Sequence, residues 1–177
     1  MFFGEDSDMK IVGQEAPVID ETTEVEALRQ EAANGNLARA RALGAWLVRA
    51  ATAIELSTPL DDPKLIAQRW LLLVFAIEHE LAQLLPTEVT AQTAQNEFYN
   101  SLRTDAPHIY EELQQNGGLT FYYLCLQQDD VPAAVGKTFA GLYGKADDTD
   151  MIQMGIDLYN ACVHEVEDLV AAQNFVN

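Results

Sequence analysis

Trp70-Leu71-Leu72-Leu73-Val74-Phe75-Ala76-Ile77 is an unbroken apolar run within a segment that otherwise reads as a long helix, opened by Asp62-Pro63 and closed by Pro86. A helix on a domain surface has one apolar stripe and one wet face. This run is apolar all round for two turns, so every side of it needs a cover. It is far short of the about 20 apolar residues that span a bilayer. Two arrangements satisfy it: a central helix ringed by others, or a helix whose second face is closed by a partner chain.

Outward from this run the helix signals come in series. Thr23 with Glu26 fits a capping box for a short helix ending at Asn34-Gly35. Asn36 is placed to cap the next helix, which runs to about Ser57. Downstream of Pro86, Thr87 caps a helix to about Arg103, and Asp105 starts another that stops at Asn116-Gly117-Gly118. Residues 119–128 read as a short apolar helix, with a strand as the alternative because Phe121-Tyr122-Tyr123 has β-propensity. Asp130 and Pro132 open a helix to Gly144, and Asp148 caps the last, ending near Gln173. On that last helix Met151, Ile152, Gly155, Leu158, Tyr159, Cys162, Val163, Val166, Leu169 and Val170 share one broad face, with Asp150, Asp157, Asn160, His164 and Asp168 opposite. No strand pair with a hairpin turn is visible. Asn34-Gly35-Asn36 followed by Ala40 and Leu43 hints at a tetratricopeptide turn, but it does not recur at a fixed interval. The expected fold is all-α, a single-domain bundle of seven or eight mostly antiparallel helices around the central apolar helix. It covers residues 21–177, after an acidic tail at residues 1–20 that is partly disordered or docked through Phe2 and Phe3.

In 177 residues, 28 Asp and Glu outnumber ten Lys and Arg, for a formal charge of −18. Such a surface repels phosphate, so nucleic acid and anionic membranes are poor partners, whereas basic peptides and cations remain open. Cys125 and Cys162 lie in apolar patterns without zinc or redox spacing and read as buried free thiols. The N-terminus lacks the basic start and long apolar stretch of a secretory signal, which points to the cytoplasm.

The motifs that carry chemistry fail on inspection. Val131 to Thr138 ends like a phosphate-binding loop, with Gly136-Lys137-Thr138. The first glycine is replaced by Val131, acids precede it, and no strand leads into it. A better reading is a helix whose small residues Ala133, Gly136, Ala140 and Gly144 admit close helix packing. Asp147-Asp148-Thr149-Asp150 lacks the glycine and distal glutamate of a calcium loop, and helix capping explains it. Asn160, His164 and Asp168 could offer a cation three ligands on one stripe, yet that stripe is expected to be wet. No nucleophile motif accompanies either cysteine.

His79, between Glu78 and Glu80, sits at the seam of the apolar helix, where a histidine can be a ligand, a base or a pH-sensitive contact. Glu78-His79-Glu80 does not match di-iron spacing, and His164-Glu165, which opens like a zinc-protease helix, has Asp168 where the second histidine is needed. The string Glu78-His79-Glu80-Leu81 resembles the acid-His segment of the all-helical cytosolic chaperones for redox-enzyme maturation. It covers only these residues, and no Pro-rich partner motif follows, so no functional residue is carried over.

Three functions follow as expectations. The first is a non-catalytic interaction protein, a homodimer or other self-assembly that closes Leu71, Leu72, Phe75 and His79. The second is a peptide-binding chaperone or adaptor, with a groove lined by Trp46, Tyr110, Tyr122 and Tyr123. The third is a metal-dependent enzyme centred on His79. No cofactor or metal motif is legible.

Overall fold

The computed structural model describes residues 21–54 and 61–176. Phe2, Phe3, the expected tail and the end expected near Ser57 lie outside the described residues. Eight helices follow one another, with no strand among the described residues: α1 (Glu21–Ala33), α2 (Asn36–Ala53), α3 (Pro63–Leu84), α4 (Glu88–Asp105), α5 (Pro107–Gln115), α6 (Leu119–Cys125), α7 (Val131–Tyr143) and α8 (Thr149–Gln173). The expected all-α bundle is the observed one, and residues 119–125 are helix.

α3 is the axis. Every residue from Ala67 to Ile77 is buried, including Gln68 and Arg69. The covers are α4, α5, α6, α7 and α8, all of which contact α3. Each large side chain fully buried this way contributes about 1.5–3 kcal/mol of transfer free energy. Leu71, Leu72 and Phe75, at 1%, 0% and 0% exposure, therefore belong to the core of the single chain. The expectation that a partner closes them is corrected: neighbouring helices of the same chain already cover these three side chains.

Asp62 and Asp148 cap α3 and α8 by accepting from main-chain N–H groups. Thr87 and Thr90 form a reciprocal capping box on α4. Three expected starts differ. α1 begins at Glu21, ahead of Thr23. Asp105 is the last residue of α4, and Pro107 opens α5. Gly35, left-handed at φ 82°, holds the N-cap position of α2. Asn36 is thereby inside the helix, and its side chain turns to other work. It donates to Glu31 Oε2 at 2.6 Å and to the Val176 carbonyl at 2.7 Å, and accepts from Val176 N–H at 2.9 Å. The buried amide so ties the C-terminal segment to the α1–α2 turn.

The strongest helix pairs are not all sequential: α2 lies on α4 and α7 on α8. Glycines permit both. A Cβ at Gly44 would collide with the Ala94 carbonyl oxygen and lie 2.9 Å from both Glu97 Cβ and Phe98 N. A Cβ at Gly136 would lie 2.6 Å from the Ile152 carbonyl oxygen, and one at Gly155 only 3.0 Å from Gly136 Cα. The expected small-residue packing on α7 is real at Gly136 and Ala140. It does not extend to the whole stripe: Gly144 is the left-handed cap of α7, and Ala133 faces a cleft.

Candidate functional site

The His79 region is structural in its contacts. The His79 ring stacks on Phe75 with centroids 6.1 Å apart and planes at 7°. Burial lowers its pKa. Glu78 does not face it as a ligand partner. Its carboxylate accepts from the Tyr99 hydroxyl at 2.5 Å and the Tyr123 hydroxyl at 2.6 Å, joining α3 to α4 and α6. Glu80 has its pKa raised by burial first and by Glu167 second. Among the described residues no three His, Cys, Asp or Glu side chains converge on a common metal position. Burial pushes the Cys162 thiol up to about 12, which keeps it protonated and unreactive at neutral pH. Cys125 is also free and buried. On α8, His164 lies 3.6 Å from Asp168 with both side chains largely in water, as expected of a solvated pair.

The four aromatics expected to line one groove do not. Tyr122 is fully buried and stacks on Phe75 at 5.5 Å. Tyr110 is half-buried beside Tyr99. Trp46 is exposed on α2, far in sequence and role from Tyr123 on α6.

The groove lies instead between α6 and α7. α6 reads Leu-Thr-Phe-Tyr-Tyr-Leu-Cys, apolar on nearly every side. Unlike α3 it sits at the edge of the bundle, so only its inner side is covered. Tyr122 and Cys125 point inward, and Tyr123 sets its ring edge against Phe75 while its hydroxyl holds Glu78. The outer side is left with Phe121 at 54% and Leu124 at 51% exposure. These two flank a cleft of about 700 Å³ whose other wall is the outer face of α7: Ala133, Ala134, Lys137, Thr138, Gly141 and Leu142. Cys125 and Thr138 cross its floor with sulfur and hydroxyl 3.2 Å apart. Gln128, Asp129 and Asp130 form the rim at the start of α7. Asp130 also caps that helix by accepting from Ala133 N–H at 3.0 Å.

The cleft offers surface, and little reactivity. Its walls are mostly apolar, and its polar groups are a thiol and hydroxyl already in contact, one ammonium, one amide and two rim carboxylates. Open apolar concavities of this kind bind, and a few polar groups orient what is bound. The segment that imitates a phosphate loop supplies four of the lining residues, as a helix face. No helix of the described residues is long and apolar enough to cross a membrane. No family model, curated protein or solved structure matches this chain, which leaves its own geometry to carry the function.

Proposed function

We propose that this protein is a non-catalytic binding module, an adaptor or peptide-binding chaperone of the cytoplasm, and that the α6–α7 cleft is where it holds an apolar segment of another protein. The observation that carries the reading is the pair Phe121 and Leu124, each more than half exposed beside a cleft of about 700 Å³. Large apolar side chains rimming a hollow lose little on staying wet singly, but together they form the kind of patch that marks an interaction site. The charge of −18 supports a protein partner over nucleic acid or an anionic membrane. Two free buried thiols accord with a reducing compartment. Self-association through Leu71, Leu72 and Phe75 has lost its surface to the core, and two copies carrying −18 each would repel.

A displayed peptide library panned on the protein, with counter-selection on Leu124→Asp, tests the reading. Enrichment of peptides sharing bulky apolar residues is expected. Peptides that bind Leu124→Asp equally well would overturn the assignment of the cleft.

A further inference from the structure

Resting on that reading, we infer that the occupant of the α6–α7 cleft is a short amphipathic helix of a basic partner protein. Its apolar face lies on Phe121, Leu124 and Leu142, its backbone passes close to Gly141, and its Lys or Arg side chains reach toward Asp129 and Asp130.

The form of the occupant follows from what the walls lack. Both are helices, whose main-chain donors and acceptors are turned into their own hydrogen bonds. They present no sheet edge, so an extended peptide would find no backbone ladder to join. A helix satisfies its own backbone and needs from the cleft only apolar contact. The lining runs from Ala133 to Leu142 along α7, about 14 Å at the helical rise, which matches between two and three turns of a partner helix.

Gly141 sets the depth. A Cβ there would meet nothing within 4 Å, in contrast to Gly44, Gly136 and Gly155, which are held to glycine by neighbouring helices. Among the described residues no packing explains a glycine that weakens a helix interior. Its absent side chain leaves the α7 wall open where a partner backbone would approach.

Charge selects the partner. The rim brings two carboxylates against the single ammonium of Lys137, and no ion pair among the described residues engages Asp129, Asp130 or Lys137. The whole chain adds its excess of 28 acids over ten bases. A cationic helix is drawn to that surface, and an anionic one or a second copy is repelled.

The test uses the full chain and three synthetic peptides of about 16 residues, long enough to reach helical form on binding. All share one Leu face at helical spacing. The first carries Lys on its polar positions, the second Glu, and the third is the Lys peptide with a central proline. Affinity is read by fluorescence anisotropy at two salt concentrations, and oligomeric state by sedimentation. The Lys peptide is expected to bind, to weaken with salt, and to weaken at least about tenfold against Leu124→Asp and against Gly141→Leu, each confirmed folded by circular dichroism. Equal binding of the Glu or proline peptide overturns the basic-helix occupant and leaves the cleft as a protein-binding site. Lys-peptide binding indifferent to both substitutions, or no binding by any peptide, overturns the cleft reading as well. A dimer that Leu124→Asp disperses assigns the cleft to a second copy and overturns the inference.

Discussion

Gly44→Ala adds a single methyl group at a point where α4 lies directly against α2. The new Cβ has no room: the Ala94 carbonyl oxygen stands in its way, and Glu97 Cβ and Phe98 N lie 2.9 Å off. Two of these atoms are backbone, so no rotamer change relieves the contact. Carbon contacts are comfortable near about 3.5–4.0 Å, so α4 must retreat by about 0.6–1 Å. A gap of that size forfeits about a quarter to a half of each dispersion contact along the seam. Overpacking of this kind destabilises by about 1–3 kcal/mol. The better helix propensity of alanine returns up to about 1 kcal/mol. A net loss of about 1–2 kcal/mol is expected, or roughly 2–8 °C in Tm for a chain of this size. Urea unfolding followed by circular dichroism measures it, as a lower midpoint with an unchanged slope. Gly141→Ala is the matched control, since its Cβ meets nothing within 4 Å. It should gain about 0.5–1 kcal/mol from propensity alone. If Gly44→Ala stabilises the protein as much as Gly141→Ala, the α2–α4 seam is not where the structure places it.

Asn36→Ala removes the amide that holds both Glu31 and the Val176 main chain, and should destabilise by about 2–4 kcal/mol while exposing the C-terminal residues to carboxypeptidase. An unaltered digestion rate would refute the tie. Tyr123→Phe removes one of the two phenols on Glu78 and should weaken folding by about 1–2 kcal/mol, with faster amide exchange in α6 than elsewhere. Exchange that accelerates uniformly would argue against a local clasp. Burial lowers the pKa of His79, so as pH falls through about 6.5 the unfolded chain takes up a proton that the folded chain resists, and stability is lost. Glu80 acts oppositely: its raised pKa makes the folded chain the better proton acceptor, so its contribution improves on acidification below neutrality and is lost as pH rises through the folded value. His79→Phe should therefore flatten the loss as pH falls through about 6.5, and Glu80→Gln should steepen the loss as pH falls toward the ordinary glutamate range. Both are checked by chemical denaturation across that range.

Much of the fold was legible because its signals are local. Proline at the first turn of α3 and α7, aspartate caps on α3, α7 and α8, and a glycine ending α7 mark helices without reference to tertiary structure. The central place of α3 was legible for another reason: an apolar run with no wet side admits few environments. What stayed hidden depends on partners distant in the chain. Arg69 sits in the buried stretch of α3 because its guanidinium donates to the carbonyls of Ala51 and Ile54, closing the open end of α2. Nothing beside Arg69 in the sequence announces those acceptors. Gly44 gives no sign in sequence that α4 will lie against it. Asn36 resembles a helix cap because its neighbours suit one, and only the return of the chain at Val176 gives its amide a different role.

The cleft was missed for a reason that the two apolar helices make plain. α3 and α6 share one compositional signature, an apolar surface on all sides, yet only one helix can occupy the axis of a bundle of this size. α3 is 22 residues long and can meet five neighbours. α6 has seven residues, enough for two inward anchors, Tyr122 and Cys125, and a clasp through Tyr123. Once the longer helix takes the centre, the shorter must lie outside it with part of its apolar surface uncovered. Phe121 and Leu124 are that remainder. Exposed apolar surface therefore collects on the shorter of two competing apolar helices. The longer one supplies the core on which the shorter is anchored through Tyr122 and Tyr123, and an apolar wall anchored in this way can receive a partner without first having to be ordered.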